Sequence, residues 1–324
     1  MSISVILLVA GLIMLALAAA GYRVFQIISL RNTSFQLSIS PETLSPQKEY
    51  FYAHRNEQLE WLEKWGYKTV YIKNSQKKRL AGYYFEANEP TDKTVLAIHG
   101  YRCDGGFEEY MYHIPMFLEK LQMNVLVVDN RAHHHSEGNY IGFGWMDRLD
   151  CLQWLDWLIE QYGPQQEIYL QGISMGAAAV LMTAGEQSLP EQVKGVIADC
   201  GFSSVSEELR YVMKQVMKLP TFPLLHIASL FNKLFAGFFF SEGDTRAAVQ
   251  RIRIPVLFIH GDTDTFVPTS MVHQLYQACS APKELYLVKS AAHADAYLSD
   301  TERYYQFVRS LVYGQTANKN LKEV

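Results

Sequence analysis

The segment LQGISMGAAAV, residues 170–180, places one serine between two glycines where an apolar run passes into an alanine-rich one. The pattern GxSxG, after a strand and before a helix, forms a tight turn that holds the serine hydroxyl clear of the backbone. Gly172 and Gly176 would leave room where the chain passes too closely for side chains. Ser174 is therefore the predicted nucleophile of an acyl-transfer reaction.

A serine nucleophile needs a base to take its proton and a third group to orient that base. In a fold that carries this turn, the acid and then the histidine follow the serine on loops after later strands. The segment HGDTDTFVP supplies Asp264, and VKSAAHADAY supplies His293. Asp262 and Asp199 are alternatives for the acid. Asp264 is preferred because it lies farther past the end of its strand, where a loop can turn towards the histidine.

The reaction also needs two backbone N–H groups that hold the oxyanion of the tetrahedral intermediate. One comes from the residue after the nucleophile, here Met175, and the other from the loop after an earlier strand. The segment IHGYRCDGG follows the apolar run KTVLAIHG, and the second predicted donor is the amide of Tyr101.

Short apolar runs alternate along the chain with segments whose apolar residues have helical spacing. Near-continuous apolar runs are typical of buried parallel strands. The alternation predicts an α/β fold with a mostly parallel central sheet and helices on both faces, preceded by a β-hairpin from KTVYIKNS and RLAGYYFEAN. The runs are KTVLAIHG, NVLVVDN, EIYLQGIS, VKGVIADC, IPVLFIHG and ELYLVKS.

About fifty residues between Cys200 and Ile254 replace a single crossover helix, and they are rich in Leu, Met and Phe. This length predicts a helical cap, at about residues 202–250, over the carboxyl edge of the sheet. Its segment FNKLFAGFFF, Phe231–Phe240, is interpreted as packing of the cap. The alternatives are an acyl-chain pocket and contact with a bilayer.

Four motifs, in this order along the chain, resemble those of a known enzyme superfamily. They are HGY at 99–101, GISMG around Ser174, HGDTDTFVP at 260–268 and AHADAY around His293. From Lys68 to Gly314 the chain resembles the α/β-hydrolase superfamily of serine hydrolases. Within it, the chain is similar to the bacterial membrane-anchored branch grouped with esterases, lysophospholipase-like proteins and serine aminopeptidase-like proteins. The resemblance implies hydrolysis of a carboxylic ester through an acyl-enzyme, as in carboxylesterases, without a cofactor.

One stretch departs from the family pattern, because VVDNRAHHHSEG has Ala132 and His134 where relatives usually carry glycines. The adjacent side chains of His133, His134 and His135 diverge, so no metal site is predicted there, and a polar loop at the rim of the active site is preferred. The pair Asp147 and Asp150 is interpreted as a solvated or helix N-terminal feature.

Composition excludes some classes of function. The chain has 29 basic and 33 acidic residues and a formal net charge of −4. Without a basic block, binding of nucleic acid is not expected. The four cysteines are scattered without metal-ligand spacing, so they are interpreted as buried thiols, with one or two disulfides as the alternative.

The first 22 residues carry no charged side chain and are long enough to cross a bilayer as a helix. We interpret them as a single-pass membrane anchor. A cleaved signal peptide is the alternative, since Ala18–Ala20 resembles a cleavage site. Arg23 and Arg31 follow the apolar stretch and no basic residue precedes it, which favours a catalytic domain on the cytoplasmic side.

The predicted organisation is therefore an anchor at 1–22, a linker and packing helix at 23–66, and a hydrolase domain at 67–324. The expected substrate is a small-molecule or lipid-like ester. Two alternatives remain: a serine peptidase or amidase with the same triad, and an inactive membrane-tethered binding protein. The physiological substrate, its acyl length and the oligomeric state do not follow from the sequence.

Overall fold

The structure is a computed structural model that describes residues 2–31, 46–103 and 106–314. The strands in this part of the chain are β1 (Lys68–Lys73), β2 (Arg79–Phe85), β3 (Lys93–Ile98), β4 (Asn124–Val128), β5 (Glu167–Ile173), β6 (Val193–Asp199), β7 (Val256–Gly261) and β8 (Lys283–Val288). The helices are α1 (Ile3–Ser29), α2 (Pro46–Ala53), α3 (Arg55–Trp65), α4 (His113–Pro115), α5 (Asp147–Tyr162), α6 (Met175–Ala184), α7 (Val205–Gln215), α8 (Leu224–Ala236), α9 (Thr245–Val249), α10 (Thr269–Ala278), α11 (Ala296–Ser299) and α12 (Thr301–Tyr313).

The eight strands form one sheet in the order β1-β2-β4-β3-β5-β6-β7-β8. β1 and β2 pair antiparallel as the predicted hairpin, and β2 pairs antiparallel with β4. All other neighbours are parallel. Because parallel strands end at the same edge, the loops after β3, β5, β7 and β8 converge there. The predicted α/β class with a mostly parallel sheet is confirmed.

Helices cover both faces of the sheet, as predicted. In β3, Val95 belongs to the core beneath α3 and α12, whereas Leu96 belongs to the opposite core beneath α5, α6 and α10. Successive side chains of a strand point to opposite faces, and a strand that is buried on both faces therefore reads as one apolar run. This is why the buried strands were recognisable in the sequence.

The N-terminal helix is longer than the predicted 22 residues, because α1 continues to Ser29. Every residue from Ile3 to Ala16 is exposed, whereas Val24, Phe25 and Ile28 are buried against the rest of the protein. Its last two turns thus pack on the domain. By length and composition, α1 is a helix that could cross a membrane.

Between α1 and the sheet, the predicted linker falls largely on residues 32–45, which lie outside the described part of the chain. The predicted packing helix is α3, whose Leu62 is fully buried.

Three α-helices, α7, α8 and α9, and a short 3-10 helix, Phe240–Glu242, occupy the interval where the cap was predicted. In the segment Phe231–Phe240, Phe238 and Phe240 are buried, while Leu234 and Phe235 of α8 are exposed. The interpretation of this segment as packing therefore holds for Phe238 and Phe240 but not for Leu234 and Phe235.

The solvated interpretation of the acidic pair in α5 is wrong, and the helix N-terminal one is right. Asp147 and Asp150 lie in the first turn of α5 and are only 1% and 4% exposed. Asp150 accepts two hydrogen bonds of 2.7 Å from the buried guanidinium of Arg131. A buried charge needs such a partner, and sequence spacing did not reveal that Arg131 supplies it. Cys151, Cys200 and Cys279 are buried thiols, Cys103 is half-buried, and no disulfide joins them.

Candidate active site

Ser174 occupies the sharp turn between β5 and α6. Its backbone has φ 57° and ψ −116°, a conformation that residues other than glycine rarely adopt. Its amide donates to the carbonyl oxygen of Asp199 at the end of β6, with a distance of 2.8 Å. Such strain persists only where the surroundings hold it, and it concentrates at functional sites.

The flanking glycines have a steric role. A Cβ atom at Gly172 would overlap the backbone of Gly176, which lies across the turn. A Cβ atom at Gly176 would overlap the carbonyl oxygen of Ile98 at the end of β3. Both neighbours are backbone atoms that cannot rotate away. The turn can therefore exist in this form only with glycine at both positions.

Gly176→Ala is expected to lower the free energy of unfolding by about 3 kcal/mol or more, because β3 or α6 must move to admit the methyl group. Chemical unfolding of the full chain in detergent measures this loss. Gly11→Ala is the matched control, since nothing lies within 4 Å of a Cβ at that position. Equal stability of the two variants would contradict the steric account.

The structure brings the three predicted triad side chains into one hydrogen-bonded chain. Nε2 of His293 lies 2.9 Å from Oγ of Ser174, and Nδ1 of His293 lies 2.7 Å from Oδ2 of Asp264. Ser174 and Asp264 are buried, and the imidazole is 13% exposed. A serine whose hydroxyl faces a base, with the base oriented by a carboxylate, is the arrangement used in acyl transfer.

Asp264 is held as a carboxylate. Its Oδ1 accepts from the amides of Phe266 and Val267, each at 2.9 Å, and Nε2 of the buried His260 lies 3.2 Å from Oδ2. Burial alone would raise the pKa of Asp264. The interactions with His293 and His260 outweigh burial, so the pKa lies well below its usual value.

The two alternative acids lie elsewhere. Asp262 is exposed and accepts from the amide of Ser290 at 2.6 Å. Asp199 is buried at the end of β6, where burial raises its pKa to about 7. Neither carboxylate has a hydrogen bond to His293 among the described contacts.

The loop after β3 passes close to the serine. A Cβ atom at Gly100 would lie 3.4 Å from Cβ of Ser174. The amide of Gly100 donates to Oε2 of Glu109 at 2.5 Å. Burial raises the pKa of Glu109 to about 7. Tyr101, the next residue, lines the same pocket as Ser174 and Met175. The two predicted oxyanion donors thus belong to residues that border the serine.

This pocket is almost wholly apolar. Glu208 of α7 is its one acidic side chain, and neither carboxylate oxygen has a hydrogen-bond partner among the described residues. Burial, and then the charge of Asp264, raise the pKa of Glu208 well above its ordinary value. A protonated Glu208 adds no charge to the pocket. The lining residues are Ile28, Tyr101, Phe143, Ser174, Met175, Phe202, Val205, Glu208, Leu209, Val212, Phe266 and Val267.

The loop that carries His133, His134 and His135 turns without glycine at residues 132 and 134. Ala132 and His134 adopt positive φ angles of 60° and 37°. Nε2 of His133 accepts from the amide of Arg102 at 3.2 Å, and Nε2 of His134 lies 2.7 Å from the carbonyl oxygen of Cys103. The neighbouring imidazole of His135 is hydrogen-bonded to Tyr83 instead. The three rings diverge, and those of His133 and His134 brace the loop after β3.

Sequence reasoning missed three contributors to the site. His260 lies four residues before Asp264, within the quoted HGDTD segment, and that spacing could have indicated a contact. Ile28 lies in the segment that was assigned to the linker, and Glu208 is an ordinary acidic residue of an amphipathic helix. No local signal distinguishes these two, because tertiary packing alone brings them to the pocket.

The sequence of this chain is similar to those of known serine hydrolases and related proteins. The family described as serine hydrolase (FSH1) matches residues 147–294. A Bacillus subtilis protein, uncharacterized protein YqkD, is 31% identical over 229 residues, which are 71% of this chain and 74% of that protein. The zebrafish (Danio rerio) lysophosphatidylserine lipase ABHD12 is 25% identical over 214 residues, covering 63% of this chain and 52% of the lipase.

Among solved structures, the Pyrococcus furiosus esterase Pf2001 superposes with a TM-score of 0.62 at 27% identity. The match covers 77% of this chain and 91% of the esterase. The chain belongs to the α/β-hydrolase superfamily of serine hydrolases.

Proposed function

We propose that the protein is a carboxylesterase in which Ser174 is the nucleophile, His293 the general base and Asp264 the residue that orients it. The observation that carries the proposal is the hydrogen-bonded chain from Oγ of Ser174 through both ring nitrogens of His293 to Asp264. An inactive binding protein would have no need to maintain this chain together with a strained serine backbone.

In the proposed reaction, Oγ of Ser174 attacks the ester carbonyl while Nε2 of His293 takes the hydroxyl proton. The amides of Tyr101 and Met175 donate to the oxyanion, and His293 returns the proton to the leaving alcohol. Water then attacks the acyl-enzyme with His293 as base again, which releases the acid and restores Ser174.

The apolar pocket supports an acyl group of hydrocarbon character. Aromatic and aliphatic side chains form most of the wall beside Ser174, and burial of such a chain is favourable by roughly 0.8 kcal/mol per methylene group. Burial raises the pKa of Glu208, which favours the uncharged form of this side chain in the wall. The names of the similar esterase and lipase point to the same class of substrate. A lipid-like ester is therefore the proposed substrate class.

The proposal is tested with matched chromogenic substrates. The full-length protein in detergent is assayed with p-nitrophenyl butyrate and octanoate and with the p-nitroanilides of the same acids. We expect hydrolysis of the esters, with kcat/KM for octanoate at least equal to that for butyrate, and anilide turnover lower by at least about 100-fold. Faster cleavage of the anilides would favour the peptidase or amidase alternative, and a folded protein that cleaves neither would overturn the proposal.

We further propose that α1 is an uncleaved membrane anchor with the hydrolase domain on the cytoplasmic side. Residues 3–20 span about 27 Å as a helix, close to the thickness of a hydrocarbon core. The stretch lacks the basic n-region of a signal peptide and is longer than a typical h-region, which favours the anchor over the cleaved alternative. Arg23 and Arg31 on the domain side support the orientation. A C-terminal reporter that is active only in the cytoplasm tests it.

A further inference from the structure

The last turn of α1 borders the candidate active site. Ile28 is 2% exposed and lines the same pocket as Ser174. Its neighbour one turn earlier, Phe25, stacks on Phe235 of α8 with 5.6 Å between ring centroids. An apolar N-terminal helix thus contributes a wall to a pocket otherwise formed by the hydrolase domain.

The same turn is hydrogen-bonded to the loop that carries a proposed oxyanion donor. A helix leaves its last carbonyl groups without partners inside the helix. The hydroxyl of Tyr101 donates to the carbonyl oxygen of Ile28 at 2.8 Å. Nη2 of Arg102 donates to the carbonyl oxygens of Ile27 at 2.6 Å and Leu30 at 3.0 Å. The end of α1 and the Tyr101 loop therefore fix each other's positions.

Further contacts hold the end of α1 in place. The amide of Ile141 donates to the carbonyl oxygen of Ser29, and the amide of Arg31 to that of Asn139, both at 2.9 Å. Earlier in the helix, a side chain at Gly21 would overlap Ile227 of α8, so a glycine there permits close packing of the two helices. The position of the last turn is thus determined by the loop before α5 and by the cap.

We propose that the last turn of α1 forms part of the active site, so that the helix does more than anchor the protein in the membrane. Ile28 limits the acyl pocket, and the carbonyl groups of residues 27, 28 and 30 position the Tyr101 loop so that its amide reaches the oxyanion. This inference rests on the proposed ester hydrolysis. In this inference, the hydroxyl of Tyr101 and the guanidinium of Arg102 have positioning roles. Ile28 sets the specificity for acyl length.

The pocket wall is tested with Ile28→Ala in the full-length protein. Removing three carbon atoms from the wall is expected to raise the ratio of kcat/KM for p-nitrophenyl octanoate over butyrate by about 10-fold. This ratio does not depend on the fraction of protein that is folded. The matched control is Ile13→Ala in the same helix, where the side chain is 55% exposed and no change in the ratio is expected.

The positioning role is tested with Tyr101→Phe, which keeps the amide and the ring but removes the donor to α1. We expect kcat to fall between about 10-fold and 100-fold, with KM changed less than about twofold, because a misplaced donor weakens only transition-state binding. Arg102→Lys should lower kcat less than Arg102→Gln does. Tyr112→Phe, which removes a hydroxyl bonded to the carbonyl oxygen of Phe51, serves as the control and should leave kcat unchanged.

An unchanged length ratio in Ile28→Ala together with an unchanged kcat in Tyr101→Phe would overturn the inference, and α1 would then be a tether alone. If the parent protein hydrolyses no ester, the same variants are compared by the rate at which fluorophosphonates with short and long alkyl chains label Ser174. If the variants change the ratio of long-chain to short-chain labelling rates as predicted for the esters, the role of α1 is supported although the ester proposal fails. A folded parent that is neither active nor labelled would overturn both.

Discussion

Replacing Ser174 with alanine is expected to lower kcat for ester hydrolysis by about a million-fold, to the level supplied by binding and the oxyanion donors alone. The physical reason is that the acyl-enzyme cannot form, because the variant has no hydroxyl for His293 to activate. The small Ala side chain fits the same turn, so the fold should persist. Steady-state kinetics of the purified full-length variant measure the loss.

Ser188→Ala is the matched control, because this serine is exposed in the turn after α6. It should retain the activity of the parent. Activity of the Ser174 variant within about 100-fold of the parent would mean that another group attacks the substrate.

Asp264→Asn is expected to lower kcat by about 10,000-fold while KM changes little. Oδ2 accepts from Nδ1 of His293, and an amide group in its place can donate to that nitrogen. The imidazole would then carry its proton on Nε2 and could not accept one from Ser174. The kinetic measurement should be made across pH, since the loss is expected at every pH at which the parent is active.

Asp262→Asn separates the two aspartates of the HGDTDTFVP segment. Asp262 is exposed and bonded to the amide of Ser290, so its variant should keep kcat within a few-fold of the parent. A larger loss in Asp262→Asn than in Asp264→Asn would contradict the assignment of Asp264 as the acid.

Much of the fold and the candidate triad could be predicted because their signals are local. A strand buried on both faces must be apolar throughout, and the turn at Ser174 excludes side chains where backbone atoms of Gly176 and Ile98 lie. Each of these constraints acts on a short segment of the chain, so the sequence of that segment alone reveals it. The order of the segments then determines which loops meet at the carboxyl edge of the sheet.

The remaining features depend on contacts between distant segments. The hydropathy of residues 1–22 predicts a membrane helix but not that α1 continues to Ser29, since Val24 and Phe25 suit a buried helix as well as a membrane one. Asp150 is polar in any local pattern, and its buried partners Arg131 and Asn74 explain its place inside the protein. Ile28 reaches the pocket because α1 packs on α8, which no spacing along the chain reveals.

The most direct test of the central claim is the site of covalent labelling by a fluorophosphonate. The full-length protein in detergent is treated with the probe, digested, and its peptides are analysed by mass spectrometry, alongside Ser174→Ala and His293→Ala. The account predicts one phosphonyl adduct, on Ser174, that is absent from Ser174→Ala and strongly slowed in His293→Ala. A folded protein without an adduct, or with its adduct on another residue, would contradict the assignment of Ser174 as the nucleophile.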